Sequence, residues 1–157
     1  MKVVYSCYGG AHSSQVAAAI HLGRFPGHRP PTAEELLSLP RFDRVSDDHQ
    51  GIAEFVGTDE DGHEVYVLGR GPAAEAVERA FRSGYRIAGG DDRQLLFVNA
   101  LQTVNLPMRV GGYLSRRLGW VAVGRPLVVF GTRRAFPALV QLVEETRRKL
   151  REGASGP

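Results

Sequence analysis

The chain has 157 residues, of which 43% are hydrophobic and 24% charged, with a net charge of +3 and a pI near 9.3. This size and balance fit one globular domain with a core of its own, and no apolar run reaches the roughly 18 residues that a membrane helix needs. The basic residues are spread out apart from Arg116-Arg117, Arg133-Arg134 and Arg147-Arg148-Lys149, which suits anionic small molecules and ranks nucleic acid last among partners.

The N-terminal apolar stretch is short and runs at once into glycines and polar residues, unlike a secretory signal. Cys7 is the single cysteine, so no intrachain disulfide forms. A reducing, cytoplasmic setting follows as the expectation.

Lys2–Ser6 (KVVYS) is short, apolar and β-branched, which predicts a buried strand. Ser14–Leu22 is alanine-rich and predicts a helix closed by Gly23. Thr32-Ala33-Glu34-Glu35 is a capping box ahead of Leu36-Leu37, and Pro40 ends that short helix. Ile52–Val56 and Glu64–Leu68 alternate around GTDEDGH, with Asp61-Gly62 as the turn of a hairpin. Pro72 opens a helix to Ser83, with Gly84 just past its end. Leu95–Ala100 (LLFVNA) reads as a second buried strand.

Pro107 opens another helix, with Val110, Leu114 and Leu118 on one face and Gly119 closing it. The Gly111-Gly112 pair inside that pattern costs on the order of 1 kcal/mol per glycine relative to alanine. A close helix–sheet contact or a ligand against the backbone would account for it. Leu127–Gly131 (LVVFG) reads as a third buried strand, and Phe136–Arg151 as the last helix. Glu152–Pro157 is a frayed tail. No repeat or linker interrupts the chain, so residues 1–151 form a single domain.

This alternation predicts a three-layer α/β domain whose mainly parallel sheet carries a β-hairpin. Ligands of such sheets sit beyond the carboxyl ends of the strands. The segments placed there are Cys7–Ser14, Gly69-Arg70-Gly71, Asn99–Asn105 and Gly131–Arg134.

CYGGAHSS, at 7–14, carries the chemistry. Gly9 and Gly10 allow a tight turn that aims successive amides into one concavity. The helix start adds its own unpaired amides. Ser13 and Ser14 can cap the helix or donate hydroxyl protons to an anion. Cys7 at the foot of the loop would feel these dipoles, which favour the nucleophilic thiolate. Phosphate or a phosphorylated metabolite suits such a cavity.

His12 is a candidate base, phosphate donor or phosphoryl acceptor. Arg70, in LGRGP, or Arg133 or Arg134 is expected to bring compensating charge. Thr132 is expected to cap the last helix beside a second anion-friendly helix start. Asn99 and Gln102 could orient a ligand, or Asn99 could satisfy the strand end.

His21 reads as structural. Cys7, His12 and His21 lack the paired spacing of a metal site, and no metal or other cofactor is expected. Asp59-Glu60-Asp61 reads as a solvated turn without the distal Glu of a calcium loop. No GK[ST] follows the glycines, which disfavours a nucleoside-triphosphate loop.

Cys7, five residues, then Ser13-Ser14 resembles the phosphate loop of low-molecular-weight tyrosine phosphatases and the arsenate reductases of that fold. Cys7, Gly9 and Ser14 fall on that pattern. Ser13 stands where those enzymes have arginine, and their Asp-Pro acid has no counterpart in this chain. The same stretch resembles the loop of sugar phosphotransferase IIB components, where a cysteine is transiently phosphorylated without a loop arginine. Cys7, Gly10 and Ser14 fall on that pattern. These likenesses imply a Rossmann-like or phosphatase-like fold.

CYGGAHSS with the AAIHLG that follows, LP-RFD, GTDE-x-G-x-x-VY-x-LG and GRP-x4-GT together resemble domain-of-unknown-function family 3189 of the Firmicutes. That likeness covers nearly the whole chain and supplies no activity.

The expected function is binding of a phosphate-bearing small molecule or phosphoryl group, with cysteine-dependent phosphoryl transfer as its chemistry. The alternative is a non-catalytic binding or regulatory module with a degenerate phosphate loop. The sequence sets no oligomeric state and leaves open which arginine replaces the absent one.

Overall fold

The structure, a computed structural model, describes residues 1–44 and 49–154. Its four strands are β1 (Lys2–Cys7), β2 (Ala53–Thr58), β3 (Glu64–Gly69) and β4 (Leu95–Asn99). They form one sheet in the order β2-β3-β1-β4. β1 pairs in parallel with β3 and β4, while β2 pairs antiparallel with β3 and forms an edge. The hairpin turns at Gly62, whose φ of 80° lies in the left-handed region that glycine tolerates.

Strand alternation sorts the two faces. Val3 and Tyr5 of β1, Val65 and Val67 of β3 and Val98 of β4 share one buried cluster with α1 (Ser13–His21) and α5 (Val121–Ala154). Leu36 of α2 (Ala33–Ser38) joins that cluster. The predicted capping box closes α2: Thr32 Oγ1 accepts from the Glu35 amide at 3.1 Å, and the Glu35 carboxylate accepts from the Thr32 amide at 2.6 Å.

On the opposite face, Phe81 of α3 (Ala74–Ile87) meets Phe97 edge-on at 5.7 Å, and Arg82 lies 5.0 Å over the same ring. The crossovers explain this division. α1 carries the chain from β1 outward to β3, and α3 carries it back across β1 to β4. Right-handed crossovers running in opposite directions leave their helices on opposite faces. The segments that leave β1 and β3 start side by side, since Cys7 and Gly69 are register partners.

Several expectations for the second half of the chain need correction. Leu127–Gly131 is not a strand but lies inside the 34-residue α5, which also absorbs the predicted helix at Phe136–Arg151. In LVVFG, Val128 and Val129 are buried while Phe130 is 56% exposed, a helical pattern that a fully buried strand would not show. Pro126 and Pro137 each remove one hydrogen bond from α5. Burial of Val128, Phe136, Leu139, Val143 and Leu150 along one stripe holds the helix nonetheless.

The helix opened by Pro72 passes through Gly84 to Ile87. The helix at Pro107 is α4 (Leu106–Gly112), followed by one π-turn at Tyr113–Arg117, and Gly119 closes it in the left-handed region at φ 69°. Of the expected tail, Glu152–Ala154 continue α5, and 155–157 lie outside the described residues.

The glycine pair in α4 has two separate causes. A Cβ on Gly111 would stand 2.7 Å from Gly124 O and 2.7 Å from Val128 N, so α4 and α5 touch backbone to backbone there. A Cβ on Gly112 would stand 3.2 Å from Cε1 of His12. The close contact is helix on helix rather than helix on sheet.

The result is a mixed α/β fold with a small, mostly parallel sheet. No helix among the described residues is long and apolar enough to cross a membrane.

Candidate functional site

At the carboxyl end of β1 the loop sits on the end of β3. A Cβ on Gly69 would lie 2.8 Å from Gly9 C, and one on Gly10, whose φ is 71°, would lie 2.9 Å from Gly69 N. Only glycines allow that approach.

The loop's carbonyls are turned into the protein. Those of Cys7 and Tyr8 accept from the amides of Arg70 (3.0 Å) and Gly71 (2.9 Å), and that of Ala11 from Asp43 (3.1 Å). The Gly10 carbonyl accepts from Gln15 Nε2 at 2.9 Å. The opposing amides are left over. That of Gly10 donates to Cys7 Sγ at 3.2 Å, and those of Gly9, Ala11 and His12 donate to no protein acceptor among the described residues.

Ser13 and Ser14 do not cap α1. They are its first two residues, and the N-cap, His12, makes no side-chain cap. Ser14 Oγ lies 3.1 Å from Cys7 Sγ. Ser13 is fully buried, and its hydroxyl has no partner, an arrangement that costs about 1–3 kcal/mol unless something else accepts or donates there.

Cys7, Gly9, His12 and Ser13 line a cavity of about 610 Å³, a volume typical of small-molecule sites. Its far wall comes from α4 and the π-turn, with Met108, Arg109, Gly112, Tyr113, Arg116 and Arg117. π-turns occur disproportionately at functional sites. Sequence reasoning missed these arginines. Arg116-Arg117 showed only as a charge cluster, because its approach to Cys7 depends on the packing of α4 against α5.

The other predicted residues are placed elsewhere. Arg70 is not among the cavity's lining residues. Its guanidinium donates to Asn99 Oδ1, and its buried Nε has no partner. Asn99 Oδ1 also accepts from the Leu101 amide at 3.0 Å, so Asn99 satisfies the strand end. Arg133 is exposed on α5 and lines a different cavity beside Leu37, Pro126 and Phe130. Thr132 caps nothing. It lies within α5, one turn from Val128 and Phe136, fully buried with its hydroxyl unpartnered. The structure thus brings together Cys7, Gly9, Gly10, His12, Ser13 and Ser14, but not Arg70, Thr132 or Arg133.

His12 has a partner that the sequence did not reveal. Its Nε2 is 3.0 Å from Oδ1 of Asp43, which is 2% exposed. Asp43 Oδ2 accepts from Ser115 Oγ at 2.7 Å and from Arg125 Nε at 3.1 Å. Burial pushes the Asp43 carboxyl up, but the hydrogen bonds from His12, Ser115 and Arg125 outweigh it and hold it below the usual range. Asp43 also has φ 54°, a left-handed backbone that is sterically costly for any residue with a Cβ. The one available signal was the LP-RFD stretch, which ends on this aspartate.

A second His–Asp pair ends α1. His21 Nε2 is 2.9 Å from Asp59 Oδ2, and its Nδ1 is 2.7 Å from the Tyr5 hydroxyl. His63 Nδ1 also reaches Asp59 Oδ2, at 2.9 Å. Asp59 is therefore not part of a solvated turn. Burial raises its carboxyl, but hydrogen bonds from His21 and from the His63 amide and ring hold it down at about 2. Asp59, Asp61 and His63 bring ligand atoms within 4.8 Å of one another, but the contacts to His21 and His63 already account for the Asp59 carboxylate.

No curated protein and no solved structure matches the chain. The model of the family described as Protein of unknown function (DUF3189) matches residues 2–148, and the chain belongs to that family.

Proposed function

We propose that the cavity over Cys7 binds the phosphoryl group of a phosphate-bearing small molecule and that Cys7 attacks it. The observation that carries this reading is the polarity of the 7–14 loop. Carbonyls of Cys7, Tyr8, Gly10 and Ala11 are bound within the protein, while the amides of Gly9, Ala11 and His12 are left for an acceptor. The buried hydroxyl of Ser13 adds a donor, and Arg109, Arg116 and Arg117 supply charge that the loop lacks. Cys7 Sγ accepts from the Gly10 amide and lies 3.1 Å from Ser14 Oγ, which holds it at the foot of the loop.

On this reading the domain is a three-layer, phosphatase-like arrangement, and the loop works like those of the low-molecular-weight phosphatases and IIB components that it resembles. The arginines come from another element, and no cofactor is required. The test is release of nitrophenol from 4-nitrophenyl phosphate by the wild type and by Cys7→Ser. Turnover by the wild type that Cys7→Ser abolishes supports the reading; undiminished turnover by Cys7→Ser refutes it.

The burial of Cys7, 4% exposed, favours a second reading: a non-catalytic module. Inorganic phosphate that binds the wild type, with no turnover of any ester, selects that reading.

A further inference from the structure

We infer that His12, oriented by Asp43, is the general acid of this site, and that its substrates are phosphomonoesters whose leaving oxygen needs a proton: those of alcohols and unactivated phenols. This assignment rests on Cys7 acting as the nucleophile. The chain has no Asp-Pro acid, and among the described residues no carboxylate lines the cavity. Among the described residues that line the cavity, His12 carries the one imidazole, the side chain used most often as a general acid.

Its orientation is fixed from several sides. An ionised carboxylate only accepts, so Nε2 must donate to Asp43, which leaves Nδ1 to exchange protons. Nδ1 has no hydrogen-bond partner among the described residues, and the ring edge that carries it lies over Gly112 of the cavity wall. The Phe42 ring packs edge-on against the imidazole at 5.6 Å. Asp43 is itself held by Ser115, Arg125 and the Ala11 carbonyl. Leu101, Val104, Met108 and Tyr113 give the cavity an apolar side suited to an organic leaving group.

In the first step the Cys7 thiolate forms a bond to phosphorus while the bond from phosphorus to the ester oxygen breaks. That oxygen takes the proton on Nδ1 and leaves as the alcohol. In the second step neutral Nδ1 accepts a proton from water as the water oxygen bonds to phosphorus. The sulfur–phosphorus bond then breaks, releasing phosphate and restoring the thiolate and the protonated imidazole. The sum is ester plus water to alcohol plus phosphate.

The experiment compares kcat/KM, which reports the step that expels the leaving oxygen, for ethyl, phenyl and 4-nitrophenyl phosphate in the wild type, His12→Gln, Asp43→Asn, Ser115→Ala and Cys7→Ser. Loss of a general acid should lower kcat/KM for phenyl and ethyl phosphate by about 10²–10³-fold. The activated nitrophenyl ester, whose oxygen leaves without a proton, should lose less than about tenfold in His12→Gln. Asp43→Asn should shift the series in the same direction, and Ser115→Ala should do so more weakly while keeping the carboxylate. An equal loss on all three esters, with Cys7→Ser inactive, would overturn the acid assignment alone. A wild type that hydrolyses none of them, or a Cys7→Ser that keeps its rate, would overturn the nucleophile and the acid together.

Discussion

Helix α1 begins and ends on a histidine paired with an aspartate, and the two pairs have nearly the same length: 3.0 Å for His12–Asp43 and 2.9 Å for His21–Asp59. They differ in what the second ring nitrogen meets. His21 passes Nδ1 to the buried hydroxyl of Tyr5. Burial, only partly offset by Asp59, depresses the His21 imidazolium, and burial raises the Tyr5 hydroxyl well above its usual range. That chain is closed at both ends, holding the hairpin to β1 and α1. His12 keeps Nδ1 at the edge of a cavity, with its side chain 17% exposed against 0% for His21. The two pairs therefore differ at the second ring nitrogen and not at the carboxylate.

The sharpest way to break this contrast is to remove each ring. His21→Ala should cost about 2–4 kcal/mol, because it opens the core and removes a partner of the Tyr5 hydroxyl and one of the partners of Asp59. His12→Ala should cost only about 1 kcal/mol, since Asp43 keeps Ser115 and Arg125. Urea unfolding of the two variants measures both. Equal losses would erase the distinction.

Gly112→Ala separates stability from chemistry in a single residue. Its backbone is helical, so alanine should add about 0.5–1 kcal/mol of stability. The new Cβ, however, would press on His12 at 3.2 Å. Melting temperature should rise while hydrolysis of phenyl phosphate falls. Unchanged hydrolysis would show that the ring tolerates displacement.

The smallest effect is on pH. His21 has a folded pKa below its ordinary value of 6.5, so the unfolded chain binds more protons as pH falls through that value. Stability then declines on acidification. Asp59, at about 2 against an ordinary 3.8, adds a loss in the same direction between those values. In His21→Gln the fall in melting temperature between about pH 7 and about pH 5 should be shallower than in the wild type. An identical fall would place the titration elsewhere.

Local signals in the sequence were sound where local physics decides. β1, β4, the hairpin, α1 and the capping box of α2 lie within a residue or two of their expected bounds. LVVFG misled because a five-residue apolar run is compatible with either periodicity, and the contact of Gly111 with Gly124 and Val128 that secures α5 is set by packing. The loop half of the candidate site, Cys7 to Ser14, is contiguous, so the sequence alone marks it as one unit. Asp43 lies 31 residues from His12 along the chain and Ser115 lies 72 from Asp43; neither spacing leaves a periodic trace.

The central claim is that the sulfur of Cys7 becomes bonded to phosphorus. Its most direct test is acid quenching of the wild type during turnover of phenyl phosphate, followed by peptide mass spectrometry. The account predicts a phosphoryl group on the peptide carrying Cys7, accumulating further in His12→Gln on 4-nitrophenyl phosphate, where the departing oxygen needs no proton but hydrolysis of the intermediate still needs a base. Steady turnover with Cys7 unmodified at every quench time, or label on another residue, would contradict it.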